Sequence, residues 1–539
     1  MKIRYGILPV LIMCSHAVSA QRGMDTVLKG STIEVTQQYK PRVKQSPKQE
    51  WKPQLPPADT THRHVSFDVP QQTLYYAYNS KPLRPLALGR NLLNRPYPNY
   101  LKAGAGNLGT IYADAGIGSF YGKDYETAIH LHHISQKGKI ANQQTSLTGM
   151  EVDGFLHKST GEWHGNINVA HDRYRYYGYD HTLYNYEKDA VSQAYTQIGA
   201  TVDMNNGKDT SAEFVYAPSL TLNWYGAKYN TSEISSDIAI PVTYRVNENL
   251  GIHLGVNAAI ASYKADTITI ANNYLTASPG VTLNLKNFDG HALAGAGFGK
   301  GGDVYFLPDI KMAFSFPDIS MKLAAGYYSS LRQNTYRQLT MENPYMLPLY
   351  TVRQTKKDDL FLHLSGGGGE HFSYAVRVSW LNYKNLATYL NDSGDRKTFY
   401  ISYQDVQAIA PQISARYHEA NHWSAGVSAE VYAFFNGSDQ YVWHQPTTRI
   451  NADVSVNITS KLTTSANFYF LGGIHARDEN FNNITLNPAT DISLSGEYLV
   501  IPRLSVFMQI NNLTATKYYR WYGYQVYGFN IYGGLRLKF

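Results

Sequence analysis

The sequence predicts an all-β protein: a transmembrane antiparallel β-barrel of about 22 strands behind a proline-rich N-terminal segment. Three observations carry this. From about residue 97 onward, runs of roughly ten residues alternate apolar and polar, the period of a strand with two unlike faces. The links between those runs are short and long in turn. The 539 residues include 45 Tyr and 43 Gly, with only 17% charged, yet no long apolar run follows the first 20 residues. That excludes a helical membrane protein.

Residues 1–20 read as a secretory signal: Lys2 and Arg4 supply the charge, Ile7 to Met13 the apolar core, and Val18-Ser19-Ala20 the cleavage site. The single cysteine, Cys14, lies inside it. A lipoprotein reading of "LIMC" would need a small residue where Met13 stands. The mature chain therefore lacks disulfides although it is exported. The net charge of +7 is spread too thinly to suggest nucleic acid as a partner.

Residues 21–96 form a second region. Ten of the 22 prolines fall between Pro41 and Pro98, in "YKPRVKQSPKQEWKPQLPPADTT" and the stretch after it. Proline fixes φ and removes backbone donors, so the segment is expected to be an extended strap or linker in the periplasm or the barrel lumen, not a globular domain. Trp51, Leu55, Phe67, Val69, Leu74, Tyr75 and Tyr76 give it apolar anchors.

Residues 97–539 are the barrel. Its first strand is expected at "NYLKAGAGN", residues 99–107. In "LGIHLGVNAAI", Leu250, Ile252, Leu254, Val256 and Ile260 oppose Gly251, His253, Gly255 and Asn257; "FSYAVRVSW" (372–380), "RINADVSVNI" (449–458) and "LSVFMQIN" (504–511) repeat the rule. The links "YGKD", "STGE", "NENL", "PDIS", "TSK" and "IPR" are tight. Those at 172–190, 331–359 and 473–489 are long. Tight turns on one side and long loops on the other mark a barrel of the Gram-negative outer membrane, with an even strand count placing both termini in the periplasm. Tyrosine runs such as "YRYYGY" and "YYRWYGYQVYG" sit where strands meet long loops, and are expected to form an aromatic girdle at the lipid surface.

The last strand again alternates: Phe529, Ile531, Leu535, Leu537 and Phe539 share one face, and Tyr532, Gly534, Arg536 and Lys538 the other. "INNLTATKYYRWYGY…GGLRLKF" resembles the end of TonB-dependent receptors, with an Asn-Leu pair before the last outer loop and a terminal Gly-Leu-x-Leu-x-Phe strand. "SLRQNTYRQLTMENPYMLP", residues 330–348, is similar to a loop of those receptors that carries an Arg and an Asn-Pro step. The resemblance implies that Leu535, Leu537 and Phe539 are read by the barrel-assembly machinery. It also implies a folded plug before the barrel, for which residues 21–96 are too short and too rich in proline. "DTVLKGSTIEVT" (25–36) looks like the start of the energy-coupling segment and plug, after which the pattern departs. The chain thus resembles a plugless subgroup of these barrels.

No cofactor is expected. In "HLHH", His130 and His132 share a strand face and His133 points away, without a visible third metal ligand. His164, Asp172, His253 and His363 could be assembled on paper into a catalytic set, but no nucleophile motif accompanies them, and the chain does not read as an enzyme. "SGGGGE" (365–370) lacks the following helix of a phosphate loop and reads as a tight turn. The expected function is a transport or receptor barrel for nutrient uptake. The alternative is a non-conducting structural subunit of an outer-membrane complex. Expected partners are outer-membrane lipid, the assembly machinery, and outer-membrane or periplasmic proteins. A lumen this wide has to be filled by the N-terminal segment, by infolded loops or by a partner.

Overall fold

The computed structural model describes residues 99–207, 212–394, 396–420, 422–435 and 441–539. The signal segment, Cys14 and the proline-rich stretch with its anchors lie outside the described residues. The described chain is a closed antiparallel barrel of 22 strands. It begins where expected, at Asn99–Gly106, and that strand pairs with Asn530–Lys538 to shut the ring, Tyr100 opposite Lys538 and Gly106 opposite Tyr532.

The alternation sorts the side chains as anticipated. On the strand Leu250–Ala265, Ile252 is 53% exposed on the outer face, whereas neighbouring His253, facing the lumen, is 4% exposed. The same outward placement holds for Val376, Val378 and Trp380, for Val454, and for Val506 and Met508. An apolar surface of that extent is stable only against lipid. A closed ring tolerates lipid because each strand finds its backbone partners on both sides.

The two rims differ. At one, strands are joined by brief turns at 122–124, 159–160, 246–249, 286–287, 317–320, 369–371, 458–461 and 502–503. Asn99 and Lys538 lie at this rim too. The glycine run needs one adjustment: Gly366, Gly367 and Gly368 continue the strand Thr355–Gly368, paired with Tyr374, Ser373 and Phe372, so the turn itself is confined to 369–371. At the other rim lie the long loops 176–191, 333–354, 473–488 and 512–529, and the described part of another, 441–447. There the walls rise highest, in Phe372–Asn391 and Phe399–Glu419, of 20 and 21 residues, about twice what a tilted strand needs to cross lipid.

The tyrosine expectation fails. Tyr174, Tyr176, Tyr177 and Tyr179, and likewise Tyr518, Tyr524 and Tyr527, are buried rather than spread at the lipid level. The long loops fold inward, so a tyrosine at the inner end of a strand meets loop backbone instead of headgroups. Outward-facing aromatics at the short-turn rim are instead Phe120, Tyr125, Trp163, Phe372, Trp423 and Phe539, the amphipathic and apolar rings suited to an interfacial girdle.

The closure seam is made close by glycine. Gly104 stands opposite Gly534. A β-carbon on Gly534 would overlap the Ala103 carbonyl, and one on Gly104 the Gly533 carbonyl. Gly534→Val is therefore expected to reduce the heat-modifiable, folded fraction recovered in membranes, read by gel mobility with and without boiling. Gly165→Val, where a β-carbon meets nothing within 4 Å, should leave it unchanged.

Candidate functional site

The segment 333–354 leaves the strand Met321–Arg332 and returns in Thr355–Gly368, and between them it crosses the lumen. Its sequence "NTYRQLTMENP" explains the local shape. The Thr335 side chain accepts from the Gln338 N–H, and the Gln338 side chain reaches back to the Thr335 N–H, a capping box that starts helix α1, Tyr336–Glu342. Asn343 precedes Pro344 and the helix stops there. The Thr335-x-x-Gln338 spacing is the sequence signal for this helix start.

Contacts then pin the segment on two sides. The Glu233 carboxylate accepts the N–H groups of Tyr336 and Arg337 at 2.6 and 3.1 Å. Thr340 meets Tyr225 Oη at 2.7 Å, Pro344 O accepts from Tyr195 Oη at 2.9 Å, and the Leu349 N–H donates to Tyr263 Oη at 2.9 Å. These partners sit on four successive strands, Ser192–Asn205, Ser219–Ala227, Thr231–Arg245 and Leu250–Ala265. To reach them the segment passes the strands Tyr274–Leu285, Phe288–Phe298 and Val304–Phe316. On the other side, Leu347 N–H donates to Phe399 O at 2.8 Å, Phe399 N–H to Tyr345 O at 2.9 Å, and Tyr389 Oη to Leu339 O at 3.3 Å.

An aromatic core fills the space between. Tyr345 stacks on Tyr524 from the loop 512–529, with ring centroids 3.5 Å apart, and Tyr177 approaches Tyr524 edge-on at 4.9 Å. Tyr195 stacks on Tyr225, and Tyr336 packs against Tyr195, Tyr225 and Tyr263. Tyr336, Leu339, Tyr345, Met346, Leu349 and Val352 of the crossing segment are all buried. At about 1.5–3 kcal/mol per buried apolar side chain, withdrawing the segment into water would cost on the order of 10 kcal/mol. His444 belongs to the same cap. Its Nδ1–H donates to Tyr389 O at 2.6 Å and its Nε2 accepts the Tyr522 N–H at 3.3 Å. Burial pushes its pKa down to about 3, so it is neutral.

Below the cap the lumen wall is polar. His130 and His132 share the lumen face with ring centroids 5.7 Å apart; His130 bonds Asp114 at 2.9 Å, and His133, on the opposite face, bonds Thr148 at 2.8 Å. Among the described residues no group of three or more His, Cys, Asp or Glu side chains is placed to hold a metal ion. His164, Asp172, His253 and His363 are not brought together. His253 bonds Thr243 at 3.1 Å, and His164 bridges two carboxylates, Asp203 at 2.8 Å and Asp153 at 3.2 Å, a contact across three neighbouring strands that only the register reveals. At the seam, Leu535, Leu537 and Phe539 all face outward, 55%, 46% and 55% exposed. Phe539 is tied down by its backbone: its N–H donates to Asn99 O at 3.0 Å, and Asn99 N–H donates to Phe539 O at 3.2 Å.

No protein-family model and no curated relative matches the chain. Solved structures do. The FrpB iron transporter from Neisseria meningitidis aligns with TM-score 0.63 at 10% identity, over 82% of this chain and 81% of that one. The pyoverdine outer membrane receptor FpvA from Pseudomonas aeruginosa aligns with TM-score 0.60 at 10% identity, over 82% and 78%. The copper transporter OprC aligns with TM-score 0.57 at 11% identity, over 82% and 80%. At such identity the likeness is one of fold: this chain shares the barrel fold of those structures.

Proposed function

We propose that this chain is a transport or receptor barrel of the Gram-negative outer membrane, similar to TonB-dependent receptors but without their full plug, and serving nutrient uptake. The observation that carries the reading is the crossing segment 333–354, which roofs the lumen of a barrel whose fold is otherwise that of transporters for iron and copper and of a pyoverdine receptor. A barrel of this width needs a gate, and here an outer loop provides one. Residues 41–96 then serve at the other mouth, as a proline-stiffened strap that partly fills or closes the short-turn side, which faces the periplasm. No enzymatic step and no cofactor enters this reading.

One observation favours a second reading. The cap is packed as densely as a protein core, and opening it costs on the order of 10 kcal/mol. A structural subunit of an outer-membrane complex, sealed and non-conducting, would need no opening at all. Outer-membrane or periplasmic partner proteins would then be the point of the molecule, and a stoichiometric partner would be recovered with it in mild detergent.

Conductance in planar bilayers separates the parts. The intact barrel is expected to conduct poorly, and replacing 334–353 by a short Gly-Ser linker should raise single-channel conductance severalfold. Further deletion of residues 41–90 should raise it again. Loop replacement without any change would remove the gate reading, and no additional increase from the second deletion would remove the strap.

Leu535, Leu537 and Phe539 are proposed as the signal for the barrel-assembly machinery, supported by their outward placement at the seam. Deleting Phe539 should lower heat-modifiable protein in the outer membrane and leave precursor or degraded chain in the periplasm. Normal levels of folded barrel would make Phe539 ordinary lipid-facing packing.

A further inference from the structure

Directly beneath the cap, one sector of the lumen wall gathers arginine and tyrosine. Arg332 ends the strand Met321–Arg332. Arg449 faces the lumen on the strand Thr448–Asn457, directly opposite Glu430 on Trp423–Val431, with Nη1 3.5 Å from the Glu430 carboxylate. Tyr469 comes from the adjoining strand Leu462–Gly472, opposite Asn451, and so stands diagonally beside Arg449. Arg520 enters from above, in the loop 512–529. Its Nη1 donates to His444 O at 2.8 Å. The next residue, Gln445, donates to Glu342 Oε1 at 3.2 Å, and the other oxygen of Glu342 lies 3.9 Å from Arg332 Nη2. Arg520 in turn feels the charges of Glu342 and Arg449. Arg332 and Arg520 both act on the Tyr389 side chain, so the three guanidiniums lie in one neighbourhood.

They are not neutralised there. Glu342 and Glu430 are the carboxylates beside the three guanidiniums, while Asp491, opposite Tyr469, already accepts from Ser493, the Asn512 N–H and Tyr518. Arg520 is 6% exposed, yet among the described residues its Nε and Nη2 have no acceptor. The same is true of Nε and Nη2 of Arg332 at hydrogen-bond distance, and of the buried hydroxyl of Tyr469. A buried guanidinium whose one hydrogen-bond acceptor is a neutral carbonyl is expensive, and such donors are normally satisfied by charged oxygen. Arginine's fork of N–H groups matches planar carboxylate and tetrahedral phosphate alike. The side chains of Arg332 and Glu430 remain 35% and 39% exposed, so the group is reached from the lumen.

We infer that Arg332, Arg449 and Arg520, with the Tyr469 hydroxyl, form an oxyanion-binding site under the cap, suited to a ligand bearing phosphate or carboxylate. Glu342 is the built-in competitor: it takes the Gln445 amide and leaves the arginine donors to an incoming anion. The inference stands on these contacts alone and does not depend on whether the barrel transports.

The indole of Trp521 lies 4.1 Å from the Arg520 guanidinium and supplies the signal. The full chain in detergent would be titrated with inorganic phosphate in one arm and succinate in the other, at constant ionic strength held with sodium chloride, while tryptophan fluorescence is followed. A saturable change is expected in at least one arm, and which arm responds assigns phosphate or carboxylate chemistry. Arg332→Gln should weaken the apparent Kd about tenfold, and Tyr469→Phe about threefold, because a lost charged donor costs more than a lost neutral one. Both variants should retain heat-modifiable mobility, since neither side chain holds the cap through a hydrogen bond. A response that fails to saturate in both arms, or that is unchanged in the folded variants, would overturn the site.

Discussion

Everything in this molecule depends on the closure of the sheet. In lipid, an unpaired backbone N–H or C=O has no water to turn to, and each one costs several kcal/mol. The ring removes the problem by pairing Asn99–Gly106 with Asn530–Lys538, strands at opposite ends of the barrel sequence. Glycines at 104 and 534 let those two backbones approach. Only when the seam is shut do the other strands acquire a fixed inside and outside. The apolar outer belt, the polar lumen and the inward lean of the long loops all follow from it.

The roof is a different kind of structure. It is made from aqueous-side loops, and it is held as a soluble protein core is held, by buried rings and by tyrosine hydroxyls bonded to backbone carbonyls. Tyrosine suits this duty because it gives up a large apolar face and still satisfies one hydrogen bond at its tip. Tyr176, Tyr177 and Tyr195 each spend the hydroxyl on a loop carbonyl, at Met346, Gln525 and Pro344. The large tyrosine content thus reflects the demand of filling a wide mouth.

How much of this could be read from the chain depends on the range of the interaction. Strands such as Leu250–Ala265 were legible because lipid and lumen impose opposite demands on adjacent residues, and that leaves a period of two. The tight turns and the partner of the last strand were legible from the same arithmetic. The tyrosines were misassigned because a ring at a strand end can serve lipid or lumen, and which one is set by loops far away: Tyr195 meets Pro344 across 149 residues. The pair of carboxylates around His164 was invisible for a related reason, since Asp153 and Asp203 become neighbours only once register is known. The arginines under the cap were silent too, scattered over three separate elements with nothing in their local spacing to join them.

The crossing segment has a mechanical side. Anchored at Glu233, Tyr195, Tyr225 and Tyr263 on one flank and at Tyr389 and Phe399 on the other, it is a tie-beam between distant arcs of a cylinder. A large unfilled ring of strands is soft against ovalisation, and lateral pressure from the bilayer would flatten it. With the beam in place, squeezing the wall loads the aromatic contacts in the roof, and loosening the roof softens the wall. The cross-sectional shape of the barrel and the state of its mouth are, in this architecture, a single degree of freedom.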